Sequence, residues 1–426
     1  MSEVKVNKIS PRSGTGVQLG DSGDTITIPA GATFDSSAAT NTLPSTVVTT
    51  TGTQTLTNKT IDGSQLTDET VTTAKLAYNP NAFRNIIING DMSIAQRGTS
   101  ATSLTTGGYR TVDRFNFGIA SAGTWTMSQD TDVPTGLGFA KSTKLDCTTA
   151  NASLGASAEL IFFQKIEGQN LQYLKKGTAN AESTTLSFWV KSNKTGTYTA
   201  EINDNDNNRT ISQTYTISSA DTWEKKTLTF AGDTTGTLDN DNAVSFWMFF
   251  WLGAGTDYTS GTLNTSWNAN TTANRVSSSQ VNLADNTANE FFITGVQLEA
   301  GTTASDFEFL PFDVNLDRCL RYFQKSMPYS IYSNSNYTTG YAVVSTSGTV
   351  LTQAYGLQYT KEFRATPTLT VFRIVDGTSG SMYRVSTGGT VTATPAQAGA
   401  KFVGYFTMGT SADDFYTFNY RADAEL

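Results

Sequence analysis

Histidine is absent from all 426 residues. That gap removes Ser-His-Asp and Cys-His nucleophile systems, His-ligated metals and imidazole acid-base chemistry together, and leaves an enzyme only a carboxylate pair or a Ser-Lys dyad. Cysteine is nearly absent too. Cys147 and Cys319 lie far apart in the chain, make no disulfide framework and lack the companions of a zinc site, so they read as two unpaired core thiols rather than a bridge. Charge is scarce: Asp, Glu, Lys and Arg make up 15% of the residues and the formal net charge is -8. No basic surplus exists to neutralise phosphates, which argues against binding nucleic acid or an anionic membrane surface. Long apolar runs are missing as well; the longest, 246–252, is too short to cross a bilayer and reads as a buried strand. Met1 leads into Ser2-Glu3-Val4-Lys5 rather than a cationic stretch and an apolar region, so no secretory signal is expected and synthesis is expected in the cytoplasm.

What is abundant is Thr, Ser, Asn and Gly, the composition of short strands separated by many turns. The expected class is all-β. Apolar residues are sparse before about residue 83 and concentrated after it. Residues 1–34 hold one alternating stretch, Thr25-Ile26-Thr27-Ile28, too little to build a core alone, and read as a β element that anchors on its own copies or on another protein. Over 35–82 the chain is Thr-rich, with Leu56, Ile61, Leu66, Val71 and Leu76 at a spacing of five. Five residues rotate about 140° around a helix, and along a strand they alternate faces. One aliphatic per repeat is buried only if several identical chains share an axis, which predicts a trimeric stalk with these five side chains in its seam. A disordered Thr-rich linker is the alternative.

Residues 83–312 are expected to form a jelly-roll sandwich. Its strand candidates are 85–89, 114–117, 185–191, 196–202, 224–230, 244–251 and 291–298, with a short helix at 171–176 ended by Gly177. A linking helix is expected over 313–327, with Asp313 as N-cap and Leu316, Cys319, Leu320 and Phe323 as its apolar stripe. The remainder, 328–426, alternates like a smaller sandwich, with strands at 341–345, 368–373 and 401–408.

Several stretches resemble bacteriophage fibre proteins. Gly52-Thr53-Gln54-Thr55-Leu56-Thr57-Asn58-Lys59-Thr60-Ile61 is similar to segments of fibre shafts. Asn85-Ile86-Ile87-Ile88-Asn89-Gly90-Asp91-Met92, followed by Gln96-Arg97-Gly98 and Asp113-Arg114-Phe115, resembles the start of the carbohydrate-binding-module-like jelly roll of phage tail fibres. Gly295-Val296-Gln297-Leu298-Glu299-Ala300-Gly301, running through Asp306-Phe307-Glu308, resembles its finish, and Arg421-Ala422-Asp423-Ala424-Glu425-Leu426 is similar to fibre C-termini. The resemblance implies a homotrimeric, non-enzymatic virion subunit on the phage tail, or on the head or neck. Its N-terminus would attach to other virion proteins and its lobes would contact bacterial surface polysaccharide. It also implies a structural calcium near the first and last strands, for which Asp91 and Glu299 are the candidate carboxylates; calcium needs six or more oxygens and the sequence shows two, so ordinary turn and strand-end polarity is the favoured reading. No other cofactor is expected.

Sugar binding would use aromatic faces stacked on pyranose rings, with amides and carboxylates serving the hydroxyls. Tyr258 and Trp267 stand in the polar stretch 253–274, where no amphipathic period demands them, and Tyr332 and Tyr337 stand in a Ser/Asn-rich segment with Tyr329 and Tyr341. These four, Tyr258, Trp267, Tyr332 and Tyr337, are the candidate glycan contacts; packing is the competing reading for each. Asp204, Asp206 and Asn208 alternate as in a calcium loop, but Arg209 and Tyr215 occupy the glycine and glutamate positions, so a turn is expected. Glu201, Glu224, Asp306 and Glu308 are the carboxylates left for a depolymerase, and nothing pairs them at a motif spacing. A structural fibre without a ligand is the other alternative.

Overall fold

The computed structural model of the chain describes residues 83–331, 342–345, 357–408 and 414–426. The anchor at 1–34, the stalk seam Leu56, Ile61, Leu66, Val71 and Leu76, and Tyr332, Tyr337 and Tyr341 lie outside the described residues. Thirteen strands build the first lobe. They are β1 Ser100–Leu104, β2 Gly108–Tyr109, β3 Phe115–Ala120, β4 Thr124–Asp130, β5 Ser142–Thr149, β6 Glu159–Glu167 and β7 Thr184–Ser192. The series continues with β8 Gly196–Asp204, β9 Arg209–Ile217, β10 Glu224–Phe230, β11 Val244–Ala254, β12 Asn268–Ala269 and β13 Glu290–Ala300. They pair into a six-stranded sheet, β1-β4-β5-β13-β7-β10, and a seven-stranded sheet, β12-β9-β8-β11-β6-β3-β2. This is an all-β jelly-roll sandwich.

Alternation decides which side chains meet between the sheets. In β11, Phe246, Met248, Phe250 and Leu252 face the shared core, while Trp247, Phe249 and Trp251 stand on the outer face. Phe250 meets Phe162 of the same sheet and, edge-on, Phe188 of the opposite one. Each such side chain stabilises the fold by about 1.5–3 kcal/mol when fully buried. Cys147 lies in this core and Cys319 in a smaller cluster with Ile88, Ile94 and Tyr322; both are free thiols.

The segment expected as a strand at 85–89 is instead a buried, irregular plug. Its backbone groups are satisfied by side chains and by the far end of the lobe: the Ile88 amide and carbonyl bond the Gln164 side chain, and the Ile86 amide donates to the Leu298 carbonyl. Asn85 donates to the Val296 carbonyl and accepts from the Leu298 amide. Gly90 lies so close that a Cβ there would sit 2.0 Å from the Val296 oxygen. The two motifs that open and close the lobe are therefore one contact. Gly295, at φ +61°, allows the break in β13–β7 register between Thr294 and Gln297.

The helix expected at 171–176 is two 3-10 turns, Gly168–Asn170 and Gln172–Leu174, with Gln172 Nε2 donating to the Gly168 carbonyl. The linking helix runs Phe312–Leu320 with Pro311, not Asp313, at its N-cap. It stops before the expected residue 327 because β14, Phe323–Lys325, pairs with the last strand of the chain. Phe323 keeps its burial but belongs to a strand.

The second lobe adds β15 Ala342–Ser345, β16 Leu357–Gln358, β17 Thr368–Arg373, β18 Ser381–Arg384, β19 Thr390–Ala398, β20 Phe402–Met408 and β21 Phe415–Asp423. β21 is the hub, pairing with β14, β15, β17 and β18, and its Tyr416, Phe418 and Tyr420 join Val371, Met382, Val403 and Phe406 in one core.

The lobes are locked together by a buried ionic network. The Arg114 guanidinium pairs with Glu425, donates to the Lys165 carbonyl and lies 3.4 Å from the centroid of the Tyr322 ring. Arg97 reaches Asp423 at 2.9 Å and Glu425 at 3.3 Å over the Phe323 ring. Asp113 accepts from the Gln96 amide and side chain. On the other flank Glu167 takes a two-pronged bond from Arg321, at 2.9 and 2.8 Å, and a third from the Tyr322 hydroxyl. Burial alone would push the Glu167 carboxyl up, but these bonds and the Arg321 charge outweigh it and hold it below the ordinary glutamate value. The Gln96-Arg97, Asp113-Arg114 and Asp423-Ala424-Glu425 motifs thus build a junction.

Candidate functional site

Tyr258 ends an aromatic row on the outer face of the seven-stranded sheet. Phe163 stacks on Trp247 (5.3 Å), Trp247 on Phe249 (5.3 Å), Phe249 neighbours Trp251 (6.2 Å) and Trp251 meets Tyr258 (5.1 Å). Such a row could stack sugar rings, but its middle is covered. Arg275, anchored two-pronged on the buried Glu201 at 2.8 and 3.1 Å, lies over Phe249, Trp251 and Tyr258. Glu201 also accepts from Trp251 Nε1 and the Thr210 hydroxyl. Within the row, Trp247 and Tyr258 stay half-exposed.

Trp267 caps the core. Its ring packs 5.9 Å from Phe246 and its Nε1 donates to the Ala231 carbonyl at 2.7 Å. Beside it Thr262, Asn264, Thr265, Ser266, Asn268 and Asn274 line a polar hollow of about 350 Å³ with no aromatic wall. The expected turn at 203–208 is present. Asp204 accepts from Asn207 and pairs with Lys176 at 2.6 Å, whose ammonium also meets Asp233 (3.1 Å) and the carbonyls of Thr235 and Gly236 (both 2.9 Å).

Asp91 and Glu299 have separate partners. Asp91 accepts from Ser93 and Asn315, and burial pushes its carboxyl above the ordinary aspartate value against those bonds. Glu299 accepts from Gln297 and Ser305 and lies 3.7 Å from Arg84. Among the described residues no group of three or more Cys, Asp or Glu is placed to hold a metal ion. Glu224 bonds Lys226 and the amides of Ser218 and Ser219, and Glu308 accepts from the amides of Phe83 and Asn85. No helix among the described residues is long and apolar enough to cross a membrane.

The open site lies at the junction. A cleft of about 340 Å³ is lined by Phe83, Asn85, Ile86, Ile88, Asn170, Tyr173, Arg318, Arg321, Tyr322 and Lys361. Phe83 is 60% exposed and Tyr173 47%, so two aromatic side chains are presented to solvent. The turn Gln172–Leu174 buries Leu174 inward, which leaves Tyr173 outside. The helix Phe312–Leu320 buries Asn315 and Cys319 and supplies Arg318 to the wall. Three cations and no carboxylate line the cleft. Arg321 is paired with the buried Glu167 and Lys361 with the exposed Asp317. Among the described residues Arg318 makes a single hydrogen bond, to the Asn85 carbonyl at 3.3 Å, and burial pushes its guanidinium below the ordinary arginine value despite nearby Cys319 and Glu308. Sequence reasoning missed Phe83, Tyr173 and Arg318. An aromatic flanked by the buried Leu171 and Leu174 was the only available signal for Tyr173, and nothing local marked the other two.

No protein-family model matches the chain, and no curated protein does. Among solved structures, the enzymatically active domain of tailspike protein 4 of bacteriophage CBA120 is 17% identical with a TM-score of 0.27, the match covering 51% of this chain and 21% of that one. The chain thus spans about a fifth of that tailspike domain's length. A family 11 carbohydrate-binding module from Clostridium thermocellum, solved with a β-1,3-1,4-mixed-linked tetrasaccharide, is 11% identical with a TM-score of 0.22, covering 48% of this chain and 91% of that one. A family 61 module solved with β-1,4-galactotriose is 10% identical with a TM-score of 0.21, covering 51% and 99%. At these scores and identities the likenesses carry no argument about function.

Proposed function

We propose that this chain is a non-enzymatic, homotrimeric fibre subunit of a bacteriophage virion that binds a saccharide of the bacterial surface at the cleft between its lobes. The observation that carries the binding reading is the open cleft: exposed Phe83 and Tyr173 offer ring faces, and Asn170, Arg318 and Lys361 offer polar groups within one cavity of about 340 Å³. Small-ligand sites have this make-up, a concave wall with aromatic surface and a few convergent polar groups. The fibre reading is supported by the shaft-like segment 52–61 and the five-residue aliphatic period of 56–76. The virion location and the attachment of 1–34 to other virion proteins belong to the same proposal.

A glycan array probed with the full chain and with a Phe83→Ala/Tyr173→Ala variant tests the binding reading. A reproducible hit that the double variant loses is expected. Absence of any hit favours a head or neck fibre without a ligand, and release of reducing sugar from capsule polysaccharide would favour a depolymerase.

A further inference from the structure

From the charges in the cleft wall we infer that the saccharide is acidic, a pyranose carrying an anionic substituent that Arg318 receives. The inference rests on the glycan reading of the cleft and narrows its ligand. In a chain of formal net charge -8, this cavity is lined by Arg318, Arg321 and Lys361 and by no carboxylate. Two of the three cations have their counter-charge elsewhere, Glu167 for Arg321 and Asp317 for Lys361. Arg318 has none. Its one hydrogen bond among the described residues is a long one to the Asn85 carbonyl at 3.3 Å, which leaves most of its five N–H donors without an acceptor among those residues.

The guanidinium is half-buried, in the last turn of the helix Phe312–Leu320, and its remaining donors are open to an anion that enters the cleft. A planar carboxylate fits the fork with two parallel bonds, and a sulfate or phosphate ester offers the same paired oxygens. Phe83 and Tyr173, in the same wall, would meet the apolar face of the ring whose substituent reaches Arg318. A neutral sugar would use the aromatic surface equally well but would leave the fork unfilled.

The test is calorimetric titration of the full chain with oligogalacturonate, its methyl ester and galactose 6-sulfate, repeated on Arg318→Met and Arg318→Lys. We expect an acidic ligand to bind at least tenfold tighter than the uncharged ester. Arg318→Met should abolish that preference, bringing acid and ester to equal affinity, and Arg318→Lys should keep part of it. Preference for the uronate over the sulfate, or the reverse, identifies the anion. Equal binding of acid and ester to the unmodified chain overturns the acidic ligand and leaves the glycan reading intact. No binding of any of the three overturns both. Because acid and ester are compared on the same unmodified protein, a variant that fails to fold does not decide the outcome.

Discussion

Replacing Glu425 by glutamine removes one negative charge from a site where water cannot take its place. Arg114 is 1% exposed and the Glu425 side chain 4%, and the guanidinium's remaining contacts are one carbonyl and the face of Tyr322. Removing one partner of a buried pair costs about 3–5 kcal/mol, because the surviving charge is left desolvated and uncompensated. Arg97 loses its 3.3 Å pairing with Glu425 but keeps Asp423 at 2.9 Å, so the loss falls mainly on Arg114. A change of 1 kcal/mol moves the melting temperature of a protein of this size by about 2 °C, so Glu425→Gln should melt about 6–10 °C lower. Differential scanning fluorimetry reads this directly. The control is Arg114→Met/Glu425→Gln, which removes the stranded cation and should recover most of the loss. A shift below about 2 °C for the single variant, at the ~2 °C per kcal/mol scale, would refute the reasoning, as would a double variant no better than the single one. Either result would mean that the C-terminal strand is held by its β21 pairings alone.

Lys176→Ala leaves the buried carboxylates of Asp204 and Asp233 facing two carbonyls around a vacated ammonium position. Its thermal midpoint should fall, and millimolar calcium, which takes oxygen ligands of this kind, should restore part of it while leaving the unmodified chain unaffected. Gly90→Ala puts a Cβ against the Val296 carbonyl oxygen; a loss of about 1–3 kcal/mol in urea unfolding is expected, and a neutral result would show that the plug is loosely held. Glu167 ionises at lower pH in the folded chain than in the unfolded one. Its contribution is therefore complete above about pH 4.3 and is lost as pH falls through the folded value, so Glu167→Gln should flatten the acid limb of a stability profile. Ile61→Asp/Leu66→Asp should abolish the trimer mass in light scattering, since like charges would meet in a dry seam; an unchanged mass would show that the five-residue period is accidental.

Local chemistry made much of the fold legible. Alternating Phe246, Met248, Phe250 and Leu252 mark β11 without any knowledge of its neighbours, and 224–230 and 368–373 coincide with β10 and β17. Where residues satisfy their backbone bonds over long distances, the same reasoning failed. Asn85-Ile86-Ile87-Ile88-Asn89 reads as a strand by propensity, yet its partners are the Gln164 side chain and the end of β13, more than seventy residues away in one case and more than two hundred in the other. Phe323 completes a helical stripe on paper, and its pairing with Asp423 pulls it into a strand.

The candidate site shows the same division. Aromatics conspicuous in sequence, Tyr258 and Trp267, pack one side against Trp251 and Phe246 and stay half-exposed on the other, a placement set by the loops beside the sheet end. The cleft is assembled from Phe83, Tyr173, Arg318 and Lys361, four residues that no local spacing relates. The amino-acid sequence by itself determined the all-β class, the exclusion of imidazole chemistry, the free thiols and the strands whose pattern is period two, since each depends on composition or nearest neighbours alone. Only the tertiary structure decided which motif arginines are neutralised at the junction and which one is left facing a cavity, because ion pairing depends on distances between residues that the chain order keeps hundreds of positions apart.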